Sequence, residues 1–331
     1  MRRNPTNITE VAQAPTLALP RKRRGNAVAR QISDGFKGSL NPFSTPTPKG
    51  IPMQNPSQVW LVTGASGGLG LALVKALLAA GHRVAATTRN ADKLAEAVGG
   101  SHENLLALTM ALTDEADIKR GIAAITERFG RIDITVNNAG YILVGAIEEL
   151  SDAEIRANFD INVFGMMNVI RAVMPVYRAQ KSGRFLNISS ISGSVTDPGQ
   201  AIYSASKAAV IMLTEAVDDE GRDFNVRATA VCPGGLRTSF LGGSARFPEQ
   251  PIADYASVRQ YEENYRRLNQ NQSGDPAKAA RALITLAAAD NPPKRIYLGT
   301  DSFAAMERKM GKVAAEMAAW DELSHSTKYE G

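Results

Sequence analysis

Val59-Trp-Leu-Val-Thr63-Gly-Ala-Ser-Gly-Gly-Leu-Gly70 is an unbroken apolar run that ends in a cluster of glycines. Such a run reads as a strand buried on both faces, as in a parallel sheet. Glycines straight after it permit a tight turn and a close backbone approach to a pyrophosphate. A helix that starts there adds free N–H groups and the positive end of its dipole. A plain structural turn also explains a glycine cluster. What favours a dinucleotide site is the position between strand and helix, with a second strand ending some distance downstream. Two spacings fit: Gly64, Gly68 and Gly70, or Gly64, Gly67 and Gly70. Gly64, Ser66, Gly68, Leu69 and Gly70 are the candidate phosphate-binding residues.

Working outward, strands and helices alternate. Strands are expected at 59–63, 83–88, 105–110, 132–136, 184–189 and 226–231, and helices over 68–80, 91–98, 114–129, 151–180 and 201–221. Strands alternating with helices of this length imply a parallel sheet covered on both faces, and right-handed crossovers make it doubly wound. The expected fold class is α/β, a Rossmann-type doubly wound parallel sheet in one domain. That catalytic domain spans 56–300. Residues 1–55 form a disordered basic extension, and 301–331 a C-terminal helical extension. The tail 1–52 holds nine Lys/Arg against Glu10 and Asp34, a balance of +7 that leaves −2 for the rest of a chain whose net charge is +5. The basic character therefore belongs to the tail, and the body offers no nucleic-acid face. Two readings of the tail stay open: a transit peptide for mitochondrial import, or an upstream extension before a true start at Met53. Cys232 is the only cysteine, and His82, His102 and His325 are scattered, so no metal site is expected. No run approaches the length of a membrane span. A cytoplasmic protein is expected.

At the second strand end, dinucleotide folds select their cofactor: an acid there suits NAD, an arginine the extra phosphate of NADP. The stretch Thr87-Thr-Arg89-Asn90 has no acid, so Arg89 points to NADP(H). Tyr203-Ser-Ala-Ser-Lys207 places a phenol and an ammonium four apart, on one helix face. A cation beside a phenol stabilises the phenolate and lowers a pKa that is otherwise near 10. Ser190, at the end of the strand Phe185–Ser190, can hold a substrate oxygen while Tyr203 exchanges a proton. Asn137-Asn138-Ala139-Gly140 closes another strand with small residues, Asn162 is a polar residue amid apolar ones in a helix, and Pro233-Gly-Gly-Leu-Arg-Thr238 follows a strand.

Together these pieces resemble the short-chain dehydrogenase/reductase family over roughly 58–300, and the resemblance selects the Gly64, Gly68, Gly70 spacing. It implies a catalytic set of Asn162, Ser190, Tyr203 and Lys207, with Asn162 supporting a water-linked proton path from Lys207. It implies that Asn138, Ala139, Gly140, Tyr203, Lys207, Pro233, Gly234 and Thr238 also contact the cofactor. One departure is Ala111, where the family often has an aspartate near the adenine. A looser similarity to retinol and steroid dehydrogenases implies a lipophilic carbonyl or secondary alcohol as substrate. The rival reading is an NADPH-binding redox sensor or scaffold without turnover.

Residues 239–272 are expected to form a lid, with Phe240, Leu241 and Phe247 lining the pocket. Tyr255, Tyr261 and Tyr265 read as the half-exposed face of a helix. The resemblance also implies a homodimer or homotetramer, built on the outward faces of the 151–180 and 201–221 helices, where Phe164, Met166, Met167, Val169, Ile170, Val173, Ala208, Val210, Ile211, Leu213 and Val217 recur.

Overall fold

The computed structural model describes residues 57–329, so the expectations for the tail lie outside the described residues. The chain divides into a larger unit, Pro48–Met310, and a smaller one to which Gly311–Gly331 belong. In the larger unit the strands are β1 (Val59–Val62), β2 (Arg83–Thr88), β3 (Leu105–Thr109), β4 (Ile134–Asn137), β5 (Ile142–Leu143), β6 (Gly183–Ile188), β7 (Val226–Pro233), β8 (Ala245–Arg246) and β9 (Arg295–Leu298). Seven of them form one parallel sheet in the order β3-β2-β1-β4-β6-β7-β9, while β5 and β8 pair separately. The order reverses between β1 and β4, which opens a crevice at the carboxyl ends of these strands.

The apolar run at Val59 is unbroken because both sheet faces are covered. Trp60 and Val62 face the helices Gly68–Ala79 and Pro276–Ala287, packing with Leu73, Leu77 and Leu283. Val59 and Leu61 point the other way, toward Ile118, Ile125, Val169 and Val173 of the helices Glu115–Phe129 and Met166–Gln180. Successive side chains on a strand alternate between faces, so β1 presents apolar side chains to both layers. The helix ends follow their signals. Asp114 accepts the N–H groups of Ala116 and Asp117, and Gly130 closes the same helix at φ 78°.

Three expectations change. The single helix over 151–180 is two helices, Asp152–Phe159 and Met166–Gln180, joined by a π-helical turn over Asp160–Gly165. The seventh strand of the sheet, β9, was not expected: it is a half-buried edge of mixed composition, Arg-Ile-Tyr-Leu, without an apolar run. Of the apolar surface expected at a subunit interface, Met166, Val169, Ile170, Val173, Val210 and Ile211 are buried within the chain. Phe164 and Met212 remain exposed. By length and composition Asp152–Gln180 is long and apolar enough to cross a bilayer, but its apolar stripe packs against the sheet, as a core helix does. In the smaller unit the chain is helical from Gly311 to Ala319 and again over Asp321–His325.

Candidate active site

The glycine loop is built by close backbone contacts. Gly64 and Gly68 have φ of 66° and 55°, in the left-handed region that favours glycine. A Cβ on Gly64 would lie 2.7 Å from the Ala139 Cα, and one on Gly70 would lie 2.6 Å from the Gly64 carbonyl oxygen. Gly67 faces open space. The constrained positions are therefore Gly64, Gly68 and Gly70. Asn138 and Ala139 hold this loop in place. The Asn138 amide donates to the carbonyls of Thr63 and Gly64, each at 3.0 Å, and the Thr63 hydroxyl accepts from the Asn138 and Ala139 N–H groups at 3.0 and 3.1 Å.

The helix that follows has no side-chain cap and no acidic residue in its first turn. Its first N–H groups are thus available to an anion, which is the donor set a pyrophosphate requires. Leu69 turns its side chain into the core and can offer only backbone, while Ser66 is exposed on the loop. Thr238 stands beside Gly68, 3.6 Å from where a Cβ would be. Arg89, just past β2, is exposed and has no ion-pair partner among the described residues. The loop, the uncapped helix and Arg89 fit a nicotinamide dinucleotide.

Tyr203 and Lys207 lie one turn apart on the helix Ala201–Gly221, both buried, with Nζ 5.8 Å from the phenol ring centroid. Lys207 Nζ donates to the Ile188 carbonyl at 2.9 Å, at the end of β6. Ser190, two residues on, accepts the Ser192 N–H at 3.1 Å. Burial pushes the Tyr203 phenol up to about 12, and the Ser190 hydroxyl beside it pulls the other way. Burial brings the Lys207 ammonium down to about 8. In the protein alone, desolvation dominates the Tyr203 phenol, and the counteracting pull comes from Ser190 and not from Lys207. Gly140 is required by this packing, because a Cβ there would lie 2.9 Å from Asn162 Oδ1 and 3.3 Å from Lys207 Nζ.

Asn162 lies in the π-helical turn, a feature common at functional sites. Its Oδ1 accepts the Tyr141 N–H at 3.0 Å, and its Nδ2 donates to the Tyr141 carbonyl at 3.0 Å and toward the Ser206 hydroxyl at 3.1 Å. The side chain thus ties the segment after β4 to the Tyr203 helix.

Around Tyr203 the wall is apolar: Ile142, Val144 and Ala245, with Phe240, Leu241, Phe247 and Tyr265 packed against them. The first three lid residues are those expected to line the pocket; Tyr265 was read as a helix surface. The 239–272 segment, expected to form a lid, is fastened by Glu149. Its buried carboxylate accepts the N–H groups of Ala146 and Ile252, each at 2.7 Å, and takes Arg259 Nη2 on both oxygens at 2.6 and 2.7 Å. At the Pro233-Gly234 turn, the Gly234 N–H goes to the Leu298 carbonyl and the Gly235 N–H to the Asp301 carboxylate, both at 2.8 Å. Sequence reasoning missed Glu149, Arg259 and Asp301, each of which acts across a long stretch of chain. A polar cavity of about 310 Å³ at the amino ends of the strands, lined by Arg131, Asp133, Arg184 and Arg227, brings together no such acid–base set. The described residues contain no cluster able to hold a metal.

The family model for short chain dehydrogenase matches residues 58–247. An oxidoreductase named BOA17, from Botryotinia fuckeliana, is 31% identical over 81% of this chain and 98% of its own length. A 3-ketodihydrosphingosine reductase from Bacteroides thetaiotaomicron is 32% identical over 73% of this chain and 88% of its own. The crystal structure of a short-chain dehydrogenase from Streptomyces avermitilis is 38% identical, covers 82% of this chain and 100% of its own, and superposes with a TM-score of 0.76.

Proposed function

The chain belongs to the short-chain dehydrogenase family, an oxidoreductase family that acts on alcohol and carbonyl groups with a nicotinamide cofactor, and on that premise we propose that it is an NADP(H)-dependent reductase of lipophilic ketones, with Tyr203 as proton donor. The observation that carries this reading is the buried Tyr203, with Ser190 and Lys207 around it, opening onto the apolar wall of Ile142, Val144, Phe240 and Phe247. The cofactor, when bound, supplies the hydride to the carbonyl carbon. Gly64, Ser66, Gly68, Leu69 and Gly70 would hold its pyrophosphate, Arg89 its adenosine phosphate, and Asn138, Ala139, Gly140, Pro233, Gly234 and Thr238 would border it.

The chain's own residues handle the oxygen. The Ser190 hydroxyl orients the carbonyl oxygen, and Tyr203 gives it the phenolic proton, so that the alcohol leaves with one proton from the enzyme. A phenol held near 12 is fully protonated at neutral pH and is therefore ready as an acid. Lys207, charged below about 8, stabilises the phenolate that remains. Asn162 positions this set through Tyr141 and Ser206. NADP(H) is favoured by Arg89 and by the absence of an acid at 87–90. The lipophilic substrate is supported by the apolar wall, and by the relative named for reducing 3-ketodihydrosphingosine. A non-catalytic sensor has no need for Tyr203 and Lys207 to be buried together. We further place the chain in the cytoplasm as a homodimer or homotetramer, with the exposed Phe164 and Met212 as support for a subunit contact.

The test is oxidation of NADPH and NADH in the presence of aldehydes, ketones, retinoids and steroids. Tyr203→Phe is expected to lower turnover by about 10² or more, with NADPH binding retained. Wild-type turnover in that variant would remove Tyr203 from the mechanism.

A further inference from the structure

Tyr265 lies on the lid helix Ala256–Leu268, half-buried, with its ring packed into the cluster that contains Tyr203. The other lid side chains there, Phe240, Leu241 and Phe247, are hydrocarbon. Tyr265 alone among them brings a polar atom into this wall, and its hydroxyl has no hydrogen-bond partner among the described residues. The two other tyrosines of the lid are satisfied: Tyr255 donates to Glu148 at 2.5 Å and Tyr261 to Asp197 at 3.2 Å. Tyr265 also lines a cavity of about 410 Å³, together with Tyr261, Asn264, Leu268 and Asp197. It is the one residue shared by the apolar cluster around Tyr203 and the lining of this cavity. The Tyr265 hydroxyl is open to solvent while its ring packs in the apolar cluster, so it is a donor that no protein group occupies and a ligand can take.

We propose that Tyr265 is a specificity-determining residue that donates a hydrogen bond to a second oxygen of the substrate, so that the preferred substrate is a lipophilic ketone bearing another acceptor oxygen. Burial, and the nearby Asp197, Tyr261 and Tyr203, hold this phenol above the usual tyrosine range, which keeps it neutral and able to donate. The inference rests on the reading of the site as a ketone reductase.

The experiment measures binding, so that it does not depend on turnover. The full-length wild type and Tyr265→Phe are saturated with oxidised cofactor (NADP or NAD, whichever binds more tightly). They are then titrated calorimetrically with two matched pairs: benzylacetone and its para-hydroxy derivative, and propiophenone and its α-keto derivative. The wild type is expected to bind the oxygenated member of at least one pair about threefold to tenfold more tightly, the scale of one neutral hydrogen bond, and Tyr265→Phe to lose that preference. The inference is overturned if the wild type binds no probe or shows no preference, or if the variant keeps it. A preference that is lost in Tyr265→Phe, in an enzyme that turns over no carbonyl, would sink the reductase reading and leave Tyr265 as the residue that reads the oxygen.

Discussion

Replacing Lys207 with Met is expected to stabilise the fold at neutral pH while abolishing turnover. Burial lowers the Lys207 pKa from 10.5 to about 8, so the charged form is disfavoured in the folded state. The sign follows from that direction. Below about pH 8 the lysine is protonated in both states, and the native state carries the whole cost of the buried charge. That cost disappears as pH rises through the unfolded value of 10.5, where both states are neutral. At about 1.4 kcal/mol per pKa unit, the full cost is on the order of 3 kcal/mol. The lysine is almost wholly buried, so no solvent discount applies. Against this gain, Met leaves the Ile188 carbonyl without its 2.9 Å donor, a loss of roughly 1–3 kcal/mol. The net change at pH 7 is thus a gain of up to roughly 2 kcal/mol. The difference between two pH values is sharper, because the lost hydrogen bond contributes to both. The advantage of Lys207→Met over the wild type should be about 2 kcal/mol larger at pH 7 than at pH 9.5. Urea unfolding of both proteins at the two pH values measures it. Equal shifts at both would show that burial does not penalise this ammonium, and the account of the site electrostatics would fall with it.

Three further changes probe other parts of the site. Arg89→Ala should weaken NADPH binding roughly 10–100-fold and NADH binding far less, in fluorescence titrations; equal losses would make Arg89 structural. Gly140→Ala forces a methyl against Asn162 and Lys207, and should lower kcat by roughly 10²-fold through displacement of the lysine; unchanged kinetics would mean that the contact yields freely. Arg259→Ala leaves the Glu149 carboxylate with backbone partners only, and should cost roughly 1.5–3 kcal/mol, concentrated in the lid. Limited proteolysis within 242–268 should accelerate and the ketone KM should rise, whereas an unaltered cleavage pattern would show that the clamp does not hold the lid.

Much of the fold was legible because its signals are local. Val59–Val62 reads as a doubly covered strand from four residues, and the Tyr203–Lys207 register needs only the helical repeat. β9 escaped because a half-buried edge strand has no apolar run to display, and its place depends on pairing Ala230–Pro233 with Arg295–Leu298. The π-helical turn escaped because its apolar pattern matches that of the flanking helices. What distinguishes it is the tether from Asn162 to Tyr141, and the fit of Gly165 against Leu112, where a Cβ would come to 3.0 Å.

The residues proposed for the chemistry and those that shape the wall around Tyr203 differ in the same way. Ser190, Tyr203 and Lys207 stand at strand ends and on one helix face, so spacing reveals them. Glu149 and Arg259 are 110 positions apart, and neither is marked in the chain as more than one charge among many. Their pairing joins the Ala256–Leu268 helix to the segment after β5, and so sets where Tyr265 stands relative to Tyr203. Even the protonation state of the visible pair follows from packing. Phenol and ammonium four apart suggest a lowered tyrosine pKa, but burial at Tyr203 moves it upward and lowers that of Lys207 as well. Spacing therefore identifies the groups proposed to act. The depth at which the surrounding segments bury them moves both pKa values, and it is this burial that makes Tyr203 the proton donor in the proposed mechanism.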